Sequence, residues 1–563
     1  MNNMFRLLVI VLIFAVAVGC SGGNKGGNST EAPTNKPEET NAGKQSAAPQ
    51  EPVVIEMASL YPNLDANNPV MTELSKKSGF EFDLVTVTGD RNQKFDLWLA
   101  SGDYPADTVI LKPDYIAKYA DAGAIIPLED LIEEHGPNIK KHFGEYFDLL
   151  KDENGHIWSL YVSNITDEPA PTLQSEFSVS YKVLAEAGYP ELKTLDDLFN
   201  LLKNYYEKHP QTNGQPTIPF SGFSYNEGVN ENVIGPIFSS SGLEHQGNFT
   251  IDENDNVKLI FMSDEAKQYL AFLNKLHIAG MLDKEFFTLK NDTMTQRLTE
   301  GRVLAGSFPG WYMQPEVEPV IRAAGNFDDL YAYFPLVFDT NKPNKNFTAA
   351  ATRSNWNWAI TAKSKHPEDV IKMLDYMFTD EAQILINWGI EGQHYEVVNG
   401  KRTIKEEYKQ GVAANPDLIW SEIVTPFYGT SMYFAHGTKL ADGDYATPTT
   451  RQSVREKYDE RTKEVLSEYG KEVWADFVPE VNFILHGLGQ LGDVEEVRAE
   501  VARLKQIWDR DTAKIVFSSS QEEFEKLWNN TVTALEKAGA SKVEEAYTKL
   551  WKEATERYSH IKK

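Results

Sequence analysis

From Val53 onward the chain alternates short apolar runs with amphipathic stretches. "VVIEMASL" (53–60) predicts a strand, "NPVMTELSKKSG" (68–79) a helix closed by Gly79, "FEFDLVTV" (80–87) a second strand and "NQKFDLWLASGD" (92–103) a second helix. The strand "DTVIL" (107–111) follows, then "PDYIAKYADAG" (113–123), a helix ending at Gly123. Strands and helices in strict alternation imply a mostly parallel sheet covered on both faces. "KDENGHIWSLYV" (151–162) predicts a hairpin with its turn at Asn154-Gly155. A second alternating set runs from "YKVLAEAG" (181–188) through "TLDDLFNLLKNYYEKH" (194–209) and "EAKQYLAFLNKLHIAG" (265–280) to the strand "VLAGSF" (303–308). Beyond about residue 450 the pattern is helical, as in 454–477 and 521–558. No repeat of fixed period is visible, which excludes a solenoid or propeller.

The first 52 residues follow a different pattern. Leu7 to Val18 is unbroken apolar sequence behind Arg6, too short for a span that needs about 20 residues and suited to the centre of a secretory signal. Cys20 closes it and is the only cysteine of the 563 residues, so it has no intrachain disulfide partner. "AVGC" (17–20) resembles the bacterial lipobox, with Ala17 where leucine is usual; the resemblance implies a signal peptide over 1–20 and diacylglycerol on Cys20. Residues 21–52, rich in Gly, Ser, Asn, Pro, Glu and Lys, bury too little to offset their ordering entropy and are expected to be a flexible linker.

The chain as a whole is globular in composition, 41% hydrophobic and 12% aromatic. Its 83 acidic against 55 basic residues give a net charge of −28, and without a Lys/Arg-rich block this argues against a nucleic-acid partner. "GLGQLG" (487–492) follows the apolar "VNFIL" as a dinucleotide loop would. The next strand candidate, "KIVF" (514–517), ends without the ribose-binding acid, so a loop before an acidic helix cap is the better reading. "DENDNVKLIFMS" (252–263) begins like a calcium loop but has Val257 and Ser263 where Gly and Glu belong, which leaves a hairpin turn. The eleven histidines are scattered, and no nucleophile-elbow, HExxH or phosphate-loop motif occurs. No cofactor and no metal are expected, and nothing points to catalysis.

Aromatic residues in turn-rich places are the remaining candidates. Trp311 follows a strand and Pro309-Gly310, at the carboxyl edge where open α/β sheets bind ligands. Trp356 and Trp358 stand at strand spacing in "RSNWNWAI", with core packing an equal alternative. Trp388 precedes a Gly-rich loop carrying Glu391 and His394, and Tyr61 directly follows the first strand.

These segments resemble the extracellular solute-binding proteins of carbohydrate ABC transporters, in the large lipoprotein branch of the family that includes maltose-binding proteins. The resemblance is carried by "ASGDYPADTVI", "YADAGAIIPLEDLIEEHGPNIKK", "LNKLHIAGMLDKEFF", "EGRVLAGSFPGWY", "KSKHPEDVIKMLDYMFTDEAQILINWGIEGQHYEV" and the helical tail, in that order. It departs at "SEFSVSYKVLAEAGY" (175–189), where many relatives have Arg-Asp-Trp-Leu, so any sugar contact made there by Arg or Asp is absent or replaced. The resemblance implies an α/β, two-lobe periplasmic-binding-protein-like fold with an interlobe hinge and a helical C-terminal region. The first lobe is expected over 53–168 with about 330–400, the second over 169–329 with about 401–563. It further implies a membrane-tethered, monomeric protein on the extracellular face of a bacterial cell, which delivers an oligosaccharide to ABC permease subunits. Trp311 then corresponds to the family's stacking tryptophan and Asp114 to a region that holds a sugar-binding acid; Asp103 is a candidate of the same kind or a helix-end residue. A glycan-active enzyme and a sugar-sensing lipoprotein are the alternatives.

Overall fold

A computed structural model describes residues 52–60, 64–163, 165–168, 177–222, 229–342, 345, 348–350, 352–415, 418, 422, 434–479, 482–492 and 494–561. Residues 1–51, with Cys20, lie outside the described residues, as does Tyr61.

Nine strands build two main sheets: β1 (Val53–Ser59), β2 (Phe80–Thr86), β3 (Thr108–Leu111), β4 (Leu160–Ser163), β5 (Phe177–Ser180), β6 (Ile218–Ser221), β7 (Val303–Ser307), β8 (Tyr331–Phe334) and β9 (Thr352–Ile360). The first sheet has the order β2-β1-β3-β9-β4, with β2, β1 and β3 parallel and β9 antiparallel to both of its neighbours. The second has the order β8-β5-β7-β6, with β6 and β7 parallel and β5 running against β7 and β8. β3 is buried at every position, as are β5, β6 and β8, because helices cover both faces.

The connecting helices end where local chemistry says they should. Helix α1 (Pro69–Ser78) starts with Pro69, whose missing N–H costs nothing there, and the Asn68 side chain accepts from the Met71 amide at 2.8 Å. Asp90 caps α2 (Arg91–Ser101) in the same way, accepting from the Gln93 amide at 2.9 Å. Lys112 is the extended residue ahead of Pro113 at the start of α3 (Pro113–Asp121).

Each sheet sits in its own hydrophobic cluster. One holds Ile55, Ile110, Trp358 and Ile371; the other holds Val179, Phe220, Leu304 and Tyr333. Strand β8 belongs to the second sheet, while Phe434, Leu440 and Ala446 pack into the first cluster. The helical tail packs on the second half: α5 (Arg498–Val516) lies against α4 (Asp264–Ile278), with Trp508 stacked on Phe261 at 4.9 Å and the Asn274 amide donating to the Val516 and Ser518 carbonyls. Helices α6 (Gln521–Lys537) and α7 (Ala540–Arg557) follow, broken at Gly539.

The end of α7 returns to the first half of the chain. The Tyr558 hydroxyl donates to the Lys151 carbonyl at 3.2 Å, His560 Nε2 lies 3.2 Å from Asp148, and Tyr558 and Ile561 share a small apolar cluster with Leu149 and Leu485. Lys151 first, and His560 with it, holds the Asp148 carboxyl below its ordinary range.

Two local expectations change. "KIVF" is the end of α5, since tertiary packing of a long amphipathic helix overrides the β-branched propensity of four residues. At 151–162 only β4 is a strand; Asp152 instead gathers the turn by accepting from the Asn154 and His156 amides and the Trp158 indole. By contrast, residues 454–477 are helical as the pattern implies, in the short segments Arg451–Lys457, Glu460–Glu468 and Trp474–Phe477. Likewise, 252–263 contains the expected hairpin turn, between strands Phe249–Ile251 and Val257–Leu259. "GLGQLG" forms a single helical turn, Leu488–Leu491, and among the described residues the strand before it pairs with Thr348–Ala350 in a two-stranded ladder and with neither main sheet.

Candidate functional site

The connections between the sheets decide where a ligand can bind. β4 runs with β3, so its last residue, Ser163, lies at the carboxyl edge of the first sheet; β5 runs against β7, so its first residue, Phe177, lies at the carboxyl edge of the second. The return follows the same rule, from Phe334 at the end of β8 to Thr352 at the start of the reversed β9. These two crossings join carboxyl edge to carboxyl edge. The loops that leave the parallel strands therefore open toward the junction of the halves, where α/β sheets present ligand sites.

At the first sheet this edge carries an aromatic residue flanked by cations. Pairing of β9 with β4 shifts register between Arg353 and Asn357, a bulge that interrupts the alternation of side chains. Trp358, after the bulge, is fully buried; Trp356, within it, is half-buried. The Trp356 ring meets the edge of Phe95 at 6.2 Å, and Phe95 in turn meets Tyr115 at 5.2 Å. The Arg91 guanidinium carbon lies 5.3 Å and the Lys112 ammonium 5.8 Å from the Trp356 ring centre. Arg91 opens the helix after β2, Lys112 precedes the helix after β3, and Arg91 also donates to the Leu60 carbonyl at the end of β1. Asp114, exposed in the first turn of α3, belongs to the same edge.

At the second sheet, β7 ends in Ser307 and the chain turns through Pro309 into a one-turn helix, Gly310–Tyr312. Gly306 is required there, because a Cβ would stand 2.5 Å from the Phe308 ring and the Ser221 carbonyl. The backbone of Trp311 thus lies at the carboxyl edge as expected, while its side chain is outside the described ones. Next to it, the Tyr312 ring is buried and its hydroxyl is bound to Thr295 at 2.5 Å.

The first crossing is clamped where it leaves the first half. The Glu168 amide donates to the Gly437 carbonyl at 3.2 Å, and its carboxylate takes the Lys439 ammonium at 2.6 Å and the Tyr445 hydroxyl at 2.5 Å. Gly437 has φ 94°, and a Cβ on it would stand 2.1 Å from the Glu168 carbonyl oxygen.

Several expected site residues are placed elsewhere. Trp358 is core, for the register reason above. Trp388 is 4% exposed at the end of helix Asp380–Trp388, its indole donating to the Tyr445 carbonyl and its ring covered by Arg402. Glu391 is exposed in the turn ahead of the small hairpin Tyr395–Val398 and Lys401–Ile404, with the neighbouring His394 buried and accepting from the Ile390 amide. Burial drives the His394 pKa down, and Glu422 partly opposes that. Asp103 precedes β3, at the edge opposite Lys112, and its own amide donates to Ser101. The structure therefore gathers Asp114 and Trp356 at one edge and adds Arg91 and Lys112, which sequence reasoning missed. The residues at the start of the helix after each parallel strand, the cap position at Lys112 and the first helical position at Arg91, were the signal that would have found them. A cavity of about 530 Å³ lined by Gly144, Glu145, Phe147, Asp148, His560 and Ile561 lies where the tail docks and shares no residue with either carboxyl edge. Among the described residues no group of three or more His, Cys, Asp or Glu could hold a metal ion.

Comparison with known proteins places this geometry. The family model described as bacterial extracellular solute-binding protein matches residues 64–384, more than half of the chain. The fructooligosaccharide ABC transporter substrate-binding protein FusA of Streptococcus pneumoniae serotype 4 is 27% identical over 393 residues, covering 66% of this chain and 70% of that protein. Lipoprotein LipO of Bacillus subtilis is 25% identical over 362 residues, covering 60% and 66%. Among solved structures, S. pneumoniae FusA in complex with kestose superposes with a TM-score of 0.65 at 18% identity, covering 90% of this chain and 99% of that one. A solute-binding protein of Bifidobacterium longum infantis, titled as HMO binding and ABC-transporter associated, gives 0.66 at 17% identity, covering 90% and 100%. The architecture is the two-lobe, periplasmic-binding-protein-like fold with a helical C-terminal region.

Proposed function

The chain belongs to the bacterial extracellular solute-binding proteins, a family that binds rather than transforms its solute, and we propose that it captures an oligosaccharide between its two lobes and delivers it to an ABC importer. The observation that carries the reading is the topology: the crossings after β4 and β8 join carboxyl edges, so Trp356 and Asp114 at one edge and Trp311 at the other face one junction. A pyranose or furanose ring has an apolar C–H face and a hydroxyl rim, which an aromatic platform with charged neighbours matches. FusA and the B. longum protein, named for fructooligosaccharide and HMO binding, support the same substrate class.

The proposed lobes follow the clusters: 53–163 with 352–446 as the first, and 177–334 with the tail from about 450 as the second. Hinge closure about the crossings would bury the sugar, and the closed form would be what the permease recognises. Anchoring by lipid on Cys20 is part of the proposal, supported by "AVGC" and by the lipoprotein name of the B. subtilis relative. Small-angle scattering of the mature protein, with an oligosaccharide found by thermal-shift screening, tests it. A smaller radius of gyration at saturation is expected; binding without compaction overturns the hinge mechanism, and no binding across a broad sugar panel overturns the substrate class.

A further inference from the structure

We infer that the oligosaccharide is acidic, with a carboxylate that meets Arg91 and Lys112 beside the Trp356 ring. This rests on the oligosaccharide reading above and narrows it. Two observations carry it. First, two cations lie within 6 Å of one ring centre, at 5.3 and 5.8 Å, on separate helices. Like charges are brought together there by the fold itself, since each stands at the junction of a parallel strand and the helix that follows. Second, in a chain with 83 acidic residues and 55 basic ones, neither cation has a carboxylate within 4 Å among the described residues. Arg91 makes one bond, to the Leu60 carbonyl at 3.4 Å, which leaves most of its planar fork unused. Asp90 caps its own helix at the Gln93 amide, and Asp114 is exposed in the first turn of α3.

A neutral sugar would use the ring and leave these cations unanswered. A uronate would place its C–H face on Trp356 and its carboxylate on the guanidinium and ammonium, with Arg91 able to bind two oxygens at once.

The test is calorimetric titration of the mature protein with galacturonate and glucuronate oligosaccharides, their fully methyl-esterified forms, and neutral gluco- and fructo-oligosaccharides of matched length. An acidic member is expected to bind, its ester at least about tenfold more weakly, and its affinity to fall as salt is raised, as for a charge-assisted contact. Arg91→Gln and Lys112→Gln are each expected to weaken the acid about tenfold more than the ester, a ratio that misfolding would leave unchanged. Binding of a neutral oligosaccharide with none of the acids, equal affinity for acid and ester, or equal losses for both in the variants would overturn the inference while leaving the oligosaccharide reading intact. If no sugar of the panel binds, both fall.

Discussion

Two tryptophans two residues apart should behave as different kinds of residue. Trp358→Ala deletes a fully buried ring from the first core. Such deletions cost about 3–5 kcal/mol, which at about 2 °C per kcal/mol for lobes of this size lowers the melting temperature on the order of 8 °C. Trp356→Ala removes a half-buried ring whose contacts are the Phe95 edge and two cations, worth about 0.5–1 kcal/mol each, so about 2 kcal/mol of folding stability is at stake. Its larger effect is expected on the ligand: about 2 kcal/mol of apolar contact and about 1 kcal/mol of ring interaction, roughly a hundredfold in Kd. Melting curves of the unliganded variants, paired with calorimetric titration of a confirmed sugar, separate the cases. Undiminished affinity in Trp356→Ala, together with a melting shift as large as that of Trp358→Ala, would refute the assignment and return both rings to the core.

His142 sits buried against Phe434, with ring centres 4.1 Å apart, and burial pushes its imidazole down to about 4 from the ordinary 6.5. Protonation therefore favours the unfolded chain: stability is full above pH 6.5 and falls by about 3 kcal/mol toward pH 4, a slope that urea titrations of His142→Phe should show reduced. Gly437→Ala puts a methyl group into the Glu168 carbonyl at a positive φ and is expected to cost on the order of 2 kcal/mol and to shift the open-to-closed balance, read by scattering with and without sugar. Trp311→Ala should reduce sugar affinity with little change in the unliganded melting temperature; normal binding with a large melting shift would make it core. Cys20→Ser should release the mature protein into the medium, because the thioether needs a thiolate; retention in the detergent phase would mean that something other than lipid holds it.

What the sequence determined was local and periodic. The apolar runs of β1, β2, β3 and β7 and the amphipathic helices between them follow from spacing, caps and Gly stops, which act within a few residues of each other. The turn at Asp252 was legible for the same reason, and so was the edge position of the Trp311 backbone. Tertiary structure decided what depends on partners far along the chain. A register shift against β4 separates Trp356 from Trp358, although spacing alone put them on one face. Packing at Tyr445 and Arg402 takes Trp388 out of the candidate site, and the position of Asp103 ahead of β3 sets it at the wrong edge. Arg91 and Lys112 are 21 positions apart and carry no motif, and only the parallel pairing of β1 with both β2 and β3 brings the ends of those strands to one ring. Hydrophobic periodicity encodes which face of an element is buried, but the meeting of two loops is fixed by strand order, and strand order is a property of the assembled sheet.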